Sequence, residues 1–532
     1  MNLRKIIISV LIILLTIIAI HSCKHKYYIN HEFRQTYTDA NEVIHRDTTQ
    51  IPFFKIHFKN GDVSILDHWY LSSNKDSITG EGTLYGFNRN QTQEGSLSFD
   101  LNEIAIIETN QLEAIKSKDK QRISTLSILT GANLIIDVAC IANPKACFGS
   151  CPTFYLNETD FLSEAKAEGF SSSISPSLEK KDLDALQYST SSKEFFLTMK
   201  NEAFETHMLN ELSIFAVPKK KNENIFHDNQ GKFYNCGKLY NSSSALVDQK
   251  EIGHAINSFD EIEYFSKTDP SELSDKEELI IEFDQLPDVK IGVVLNFRQT
   301  LLTTFLLYSG ISYMGDEVGD YFAKIETNNQ VKKRLSNPFK RLGKIKLSVW
   351  DEDAEKWSLF KEIFETGPIA KNLVLAPILK QKPKNGKLKI KVEMAKGLWR
   401  IDYLGLTPIN FIAKPVVSYP SEIEVINGEK YTIDAVDKDD HDYLVSFPGN
   451  EFRFKFELPE IDKENGHELF LSSKGYYLEW IRQEWIKGKN LPKLKKMLLN
   501  DDETWLELAK EFKIIEHEME TVFWNSKYKS IQ

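Results

Sequence analysis

Residues 385–392 read Asn-Gly-Lys-Leu-Lys-Ile-Lys-Val, and this stretch contains the pattern that decides the fold. Leu388, Ile390 and Val392 alternate with lysines, which is the period of a β-strand with one buried face and one face in water. The Asn-Gly pair before them supplies the residues that a tight hairpin turn requires. The stretch therefore predicts a hairpin strand in a sheet with one solvated side.

The same period recurs over most of residues 190–480, with turn residues every ten or so positions. Residues 344–350 (Lys-Ile-Lys-Leu-Ser-Val-Trp) and 452–457 (Phe-Arg-Phe-Lys-Phe-Glu) both alternate cleanly. Residues 398–404 are similar to the closing strands of galactose-binding-like jelly rolls, an analogy that does not establish sugar binding. We therefore predict a β-rich domain over 151–290 and a β-sandwich or jelly-roll-like domain over 291–480.

The flanking regions differ in pattern. Residues 51–111 contain short alternating runs separated by Gly-containing turns, which predicts a small N-terminal β module. Residues 112–150 predict an apolar helix followed by a Cys-containing loop, and residues 481–532 predict C-terminal helices with one apolar stripe. The fold class is thus mainly β with α additions.

Composition excludes one class of partner. The chain has 532 residues and a formal net charge of -11. A nucleic-acid-binding protein needs a basic surface to replace the counterions of phosphates, so nucleic acid is not an expected partner. No phosphate-binding loop or dinucleotide fingerprint lies between a strand and a helix, and no cofactor is expected.

The N-terminus predicts export. Arg4 and Lys5 precede an apolar run over 6–20, and His21, Ser22 and Cys23 follow it. This order is typical of a signal peptide, here residues 1–22, and residues 20–23 look like a lipobox in which Cys23 receives lipid. Residues 23–50 are polar and predict a tether. We expect an extracytoplasmic protein held on a bacterial membrane by lipid; the alternative is an uncleaved signal anchor.

The remaining cysteines agree with an oxidising compartment. Cys140, Cys147, Cys151 and Cys236 are an even number and allow three pairings. A bond between Cys147 and Cys151 is the pairing we predict, because the Gly149 and Pro152 of this loop disfavour a helix. Zinc binding is the competing interpretation, but no second close pair of Cys or His accompanies them.

Four blocks of sequence carry a family resemblance. They are residues 147–155 (CFGSCPTFY), 167–179 (AEGFSSSISPSLE), 201–207 and 469–480. In these blocks the chain resembles a family of uncharacterised bacterial lipoproteins with a CFGSCPTFY block. The resemblance implies export and a lipid anchor, and it implies no catalytic residue. The family often has a second close Cys pair downstream, whereas Cys236 stands alone here.

Linear catalytic and metal motifs are incomplete. Residues 517–521 begin like a zinc-protease helix but end in Thr where a second His is required. Residues 437–442 are rich in carboxylates but lack the Gly and closing Glu of a calcium loop. The leading hypothesis is therefore a non-enzymatic envelope protein with a structural or binding role, whose partner is an envelope protein or a glycan. The rival hypothesis is a hydrolase of envelope polysaccharide or protein, whose carboxylates or histidines meet only in the folded chain.

Overall fold

The fold is that of a computed structural model of the chain. The structure describes residues 27–34, 54–58, 62–72, 77–85, 91–114, 151–156, 164–203, 205–318, 321–322, 325, 328–427, 431–440, 443–447, 449–461, 465–479, 485 and 487–524. The chain is 51% strand and 19% helix, and the predicted fold class, mainly β with added helices, is confirmed.

Six antiparallel strands form an N-terminal sheet. They are β1 (Tyr27–Arg34), β2 (Phe54–Phe58), β3 (Val63–Leu71), β4 (Ser77–Tyr85), β5 (Gln91–Asp100) and β6 (Ile104–Ala114), in the spatial order β1-β6-β2-β3-β4-β5. Ile56, Leu66, Trp69 and Ile78 form its buried face. Leu66 and Trp69 share this face although they are three residues apart, because the pairing of β3 with β4 shifts register between Leu66 and His68. Strand β1 differs from the predicted tether over 23–50, because its eight residues pair with β6 and satisfy the backbone groups of that edge.

Twenty-one further strands lie between residues 153 and 479. They are β7 (Thr153–Tyr155), β8 (Ala165–Glu168), β9 (Lys180–Thr190), β10 (Glu194–Lys200), β11 (Glu205–Lys220), β12 (Asn224–His227), β13 (Phe233–Cys236), β14 (Ser244–Val247), β15 (Lys250–Glu251), β16 (Lys276–Phe283), β17 (Ile291–Gln299), β18 (Ile345–Asp351), β19 (Lys356–Ile363), β20 (Asn372–Pro377), β21 (Leu388–Ala395), β22 (Trp399–Ala413), β23 (Val416–Ser418), β24 (Pro420–Asn427), β25 (Leu444–Ser446), β26 (Glu451–Glu457) and β27 (Asn465–Glu479).

Two of the sheets pack face to face as a sandwich. One has the order β24-β26-β10-β7-β8, and the other has the order β23-β11-β27-β9 with β25 also paired to β11. Phe452, Phe454 and Phe456 of β26 share one core with Ile214 of β11 and Leu471 of β27. The alternation of Phe with charged residues in β26 therefore points every second side chain into the sandwich.

Two other sheets share the largest core. Strands β15-β14-β16-β21-β18-β19 form a six-stranded sheet, and β12-β13-β22-β17-β20 form a closed five-stranded sheet. Ile390 and Val392 of β21 are fully buried in this core, while Lys389 is exposed beside them. The strand that the Asn-Gly turn predicts is thus present, and its lysines lie on the wet face.

Five α-helices lie in the described part of the chain. They are α1 (Leu302–Met314), α2 (Asn329–Leu335), α3 (Asn337–Leu342), α4 (Leu491–Leu498) and α5 (Asp502–Trp524). Helices α4 and α5 confirm the predicted C-terminal helices, and Leu494, Trp505 and Phe512 of their apolar stripe are buried in the largest core. Helices α1 to α3 were not predicted, because α1 is apolar around its circumference and shows no helical period.

The predicted boundary at residue 290 does not separate two domains. Strand β10 pairs with β26, and β11 pairs with β27 over most of its length, so the segments 151–290 and 291–480 interleave in one sandwich. Hydrophobic alternation shows which face of a strand is buried but not which strand it pairs with, and this explains the error.

The predicted apolar helix and Cys-containing loop over 112–150 lie outside the described residues, except that residues 112–114 form the end of β6. Among the described residues, no helix is long and apolar enough to cross a membrane.

Candidate functional site

One end of the sandwich presents four buried polar side chains on a single face. Glu205 and His207 lie two residues apart on β11, and they pair in register with Glu479 and Tyr477 of β27. Side chains two residues apart in a strand share a face, and directly opposed residues have Cβ atoms about 4.5–5.5 Å apart. All four side chains are buried. The strand register therefore builds a polar cluster from two segments that are remote in sequence.

His207 is held neutral in this cluster. Its Nε2 lies 3.0 Å from Oε2 of Glu205. Burial lowers the pKa of His207 to about 3, so the imidazole is uncharged at neutral pH. A neutral ring that keeps its proton on Nε2 donates a hydrogen bond to the Glu205 carboxylate. This contact fixes the position of the carboxylate.

Cys151 and Glu168 approach the same cluster from the first strands of the sandwich. Burial raises the pKa of the Cys151 thiol well above its ordinary value, and the nearby Glu205 and Glu168 raise it further. Oε2 of Glu168 accepts hydrogen bonds of 2.8 Å from the backbone N–H groups of Ile369 and Ala370. Cys151 is therefore a protonated thiol in an acidic surrounding, which is the opposite of what a thiolate nucleophile needs.

A glycine allows the close approach of Glu168. Gly367 has a φ of +112°, and a Cβ atom there would lie 2.7 Å from Oε2 of Glu168. A side chain at this position would be strained and would collide with the carboxylate. The loop therefore needs glycine where it meets Glu168.

Two tyrosines connect this cluster to helix α1 and to the neighbouring loop. The Tyr308 hydroxyl of α1 donates to Oε1 of Glu479 at 2.9 Å. The Tyr477 hydroxyl donates to the backbone carbonyl of Ser171 at 3.3 Å. Burial raises the pKa of Tyr477 well above its ordinary value, and Cys151 and Glu205 add to the effect. The Tyr477 phenol therefore stays protonated, and both phenols act as hydrogen-bond donors.

A partly open cavity of about 330 Å³ extends from this polar end between the sandwich and helices α1 to α4. Most of its wall is aliphatic or aromatic. The apolar lining consists of Ile174, Leu178, Leu306, Leu307, Ile311, Met314, Phe322, Ile325, Leu335, Pro338, Phe339, Phe364, Pro368, Leu494, Met497 and Leu498. The polar end is lined by Cys151, Glu168, Glu205, Tyr308, Tyr477 and Glu479. Other polar residues of the wall are Ser171, Ser172, Thr303, Thr304, Lys332, Ser336 and Thr366. The cavity thus has an apolar body and one acidic, hydrogen-bonding end.

Three more carboxyl groups lie beside Glu168. Burial raises the pKa of Asp184 well above its ordinary value, and the nearby Asp182, Glu365 and Glu168 raise it further. Burial, followed by Asp182, raises the pKa of Glu365 to about 7. Like charges this close do not all ionise together, so this group holds protons at neutral pH.

The four blocks that carry the family resemblance meet at the polar end of the cavity. Cys151, Glu168, Glu205 and Tyr477 come from one block each. Backbone contacts join two of the blocks, since the N–H of Tyr477 donates to the carbonyl of Ser173 at 2.9 Å. Segments separated by about three hundred residues therefore build one site.

The candidate cysteines have different outcomes. Cys151 and Cys236 are buried free thiols that do not pair with each other. Cys151 lines the cavity, whereas Cys236 lies in β13 of the closed sheet. Cys23, Cys140 and Cys147 lie outside the described residues, so lipidation of Cys23 and the bond between Cys147 and Cys151 stay predictions. Within the described ranges, no group of three or more His, Cys, Asp or Glu side chains could hold a metal ion.

Sequence reasoning missed the carboxylates and tyrosines of the cavity. A usable signal was present in Glu205-Thr206-His207, because a Glu and a His two residues apart in a strand share a face. A second signal was the run from 302 to 314, which is apolar but contains Gly310 in its interior. Neither signal shows that β11 pairs with β27, which is known only from the strand register in the folded structure.

Comparisons with known proteins add little to this description. No protein-family model and no curated protein matches the chain. Two solved structures show a remote likeness. A β-porphyranase of glycoside hydrolase family 86 from the human gut bacterium Bacteroides plebeius is 8% identical, with a TM-score of 0.16 over 44% of this chain and 37% of that chain. A GH31 α-xylosidase from Xanthomonas citri is 7% identical, with a TM-score of 0.14 over 80% of this chain and 37% of that chain. TM-scores this low do not indicate a shared fold.

Proposed function

We propose that this protein is a lipid-anchored protein of the bacterial cell envelope that binds a small amphiphilic molecule in the cavity. The observation that carries the proposal is the lining, in which apolar side chains of α1 to α4 face carboxyl and phenol groups at one end. A volume of about 330 Å³ lies at the lower end of the roughly 300–1,000 Å³ that ligand cavities occupy. The ligand is therefore a small molecule or a single acyl-type chain.

The wall selects the apolar part of the ligand. A glycan presents hydroxyl groups along its whole length, and each buried hydroxyl needs a hydrogen-bond partner. Leu307, Ile311 and Met314 of α1 offer none through their side chains, and Thr303 and Thr304 at the start of this helix add only two hydroxyl groups. The proposed partner is therefore an apolar-tailed compound rather than the glycan or protein expected from the sequence.

The polar end selects the head of the ligand. Glu168, Glu205 and Glu479 line this end with carboxylate oxygens, which accept hydrogen bonds. A head group that donates hydrogen bonds, such as a hydroxyl, amide or amine, complements them. We therefore expect the ligand to enter with its donor group toward the sandwich and its tail along α1.

Ligand retention tests the binding function. We expect the full chain, purified from membranes in a mild detergent, to release an apolar-tailed compound on organic extraction, detected by mass spectrometry at a level comparable to that of the protein. We also expect the protein to bind a fluorescent single-chain acyl probe that the extracted compound displaces. An extract that matches the detergent blank, together with no probe binding, would overturn the binding function.

A hydrolase is the second candidate, because Glu168, Glu205 and Glu479 converge at a cavity end away from bulk water. Such convergence is what the rival hypothesis required. One observation supports binding over hydrolysis: the Nε2 atom of His207 lies 3.0 Å from Oε2 of Glu205 and occupies one of the three carboxyl groups. Turnover of an ester or glycoside by the parent, abolished in Glu479→Gln with ligand retention unchanged, would favour the hydrolase.

Anchoring through Cys23 is tested separately. We expect the Cys23→Ala variant to lose its acyl chains and to move from the detergent phase to the aqueous phase in phase partitioning, because each buried CH₂ contributes about 0.8 kcal/mol to membrane affinity. Cys236→Ala is a matched control, since this thiol is buried in the closed sheet. A Cys23→Ala variant that partitions like the parent would show that an uncleaved signal anchor holds the chain instead.

A further inference from the structure

One stretch of this acidic chain is strongly basic. Residues 327–350 contain seven Lys or Arg and no Asp or Glu, whereas the whole chain carries a formal net charge of -11. Helices α2 and α3 lie within this stretch. Five of these seven cations therefore lie on two helices that form part of the cavity wall.

The two helices are divided into an apolar and a basic side. Leu335, Pro338 and Phe339 line the cavity. Lys333, Arg334 and Lys340 are exposed on the outside, and the Lys340 ammonium donates to the backbone carbonyl of Lys333 at 3.4 Å. This contact places the cations of both helices on one surface.

The exposed cations of these helices are not neutralised by the protein. Other basic residues of the stretch have acidic partners: Arg341 pairs with Asp502 at 3.0 Å, and Lys344 pairs with Glu362 at 3.5 Å. In the described part of the chain, by contrast, no carboxylate lies within ion-pair distance of Lys333, Arg334 or Lys340. The charge on this surface is thus available to an external anion.

Helix α4 extends the same surface. Its Leu494 and Met497 line the cavity, while Lys495 is exposed. Leu499, directly after the helix, is 62% exposed. The side chain of Asn337 in α3 donates to the carbonyl of Leu498 at 3.1 Å and joins the two helices. We call Lys333, Arg334, Lys340 and Lys495 the basic cover of the cavity.

We propose that the basic cover docks on an anionic lipid surface and so brings the cavity wall against the membrane. Each Lys or Arg near an anionic leaflet contributes about 1 kcal/mol of attraction. The net charge of -11 repels the rest of the chain from the same leaflet, so this attraction selects one orientation. An exposed leucine beside the cations adds apolar contact with the interface.

The chemistry of the cover favours a membrane over a protein partner. Cations of three separate helices, with one exposed leucine next to them, match a broad anionic layer. This inference rests on the proposed attachment of the chain to a membrane through the apolar run at residues 6–20 or through lipid on Cys23. Docking is a separate matter from ligand binding, since an empty or blocked cavity leaves the cover in place.

Amine footprinting of the full chain tests the orientation. The protein is reconstituted through its N-terminus into vesicles of phosphatidylcholine with or without about one third phosphatidylglycerol, treated with an acylating reagent and mapped by mass spectrometry. We expect Lys333, Lys340 and Lys495 to react at least roughly threefold more slowly on the anionic vesicles, and to recover in ~1 M NaCl, where the Debye length is about 3 Å. Lys250 and Lys356, exposed on the two edge strands of the six-stranded sheet, are the controls and should not change.

A charge-reversed variant completes the test. In the variant Lys333→Glu, Arg334→Glu, Lys340→Glu, we expect Lys495 to react at the same rate on both kinds of vesicle. An unchanged thermal unfolding temperature confirms that this surface variant is folded. Equal reactivity of the cover on neutral and anionic vesicles in the parent protein would overturn the proposal, as would protection that the charge reversal leaves intact. Protection given by an acidic polypeptide but not by anionic vesicles would identify a protein partner instead.

Discussion

Replacing Gly310 by Phe should empty the cavity of its ligand while leaving the protein folded. Gly310 lies in the interior of α1, lines the cavity and is buried, yet a Cβ atom built there meets no heavy atom of a described residue within 4 Å. The added ring would therefore enter the cavity rather than collide with a neighbouring element. We expect the compound recovered by organic extraction, and the binding of an acyl probe, to fall by at least roughly tenfold, because filling the cavity removes the apolar area that the ligand buries.

Gly310→Ala is the matched control for this experiment. Glycine inside a helix costs about 1 kcal/mol relative to alanine, so Gly310→Ala should raise the unfolding temperature and keep the ligand, since one methyl group fills little of the space. Gly310→Leu should give an intermediate loss of ligand. If Gly310→Phe retains as much ligand as Gly310→Ala and unfolds cooperatively, the binding site lies elsewhere.

Gly310 leaves part of the cavity empty, and the protein gives up helix stability to do so. Protein interiors are usually close-packed, and a helix interior normally gains from any residue other than glycine or proline. In α1, glycine gives up helix stability at a position where none of the described residues uses the space. A ligand that packs against the bare backbone of this turn accounts for both observations. This links the composition of one helix to the shape of the cavity.

Much of the fold was predictable because many of its strands have one wet face. The lysines of 387–391 and the charged residues between Phe452, Phe454 and Phe456 make the alternation visible, and these strands are β21 and β26. Helix α1 was not predicted, because a buried strand and a buried helix both have a continuous apolar sequence. The pairing of β10 with β26 and of β11 with β27 was not predicted, because the hydrophobic period of a strand carries no information on its partner.

The candidate site was less predictable than the fold. Its polar end joins Cys151, Glu168, Glu205 and Glu479, which lie on four strands or loops far apart in sequence. Single carboxylates occur throughout any acidic chain, so nothing in the sequence distinguishes these from surface residues. The exception is the basic stretch over 327–350, whose seven Lys or Arg and lack of Asp or Glu can be counted without a structure.

Glu263 should be one of the residues on which stability depends most. Its carboxylate accepts from Nε of Arg298 at 2.7 Å and from Nη2 of the same guanidinium at 2.8 Å, and both side chains are almost completely buried, at 4% and 1% exposure. Removing one partner of a buried pair leaves an uncompensated charge, which costs about 3–5 kcal/mol. We expect Glu263→Gln to lower the free energy of unfolding by this amount, measured from tryptophan fluorescence in urea.

Loss of the ion pair between Glu263 and Arg298 should also affect the cavity, unlike the loss of an ordinary surface ion pair. Arg298 ends β17 just before α1, and its Nη1 donates to the carbonyl of Pro368 at 3.3 Å, in the loop that also places Gly367 against Glu168. Glu263→Gln should therefore weaken ligand retention as well as stability. Glu282→Gln is the control, because Glu282 pairs with Lys389 at 2.7 Å where both side chains are 44–45% exposed, and such pairs contribute only about 0–1 kcal/mol. Equal losses of stability in the two variants would show that the Arg298 charge finds other compensation, and that the pair does not hold the loop.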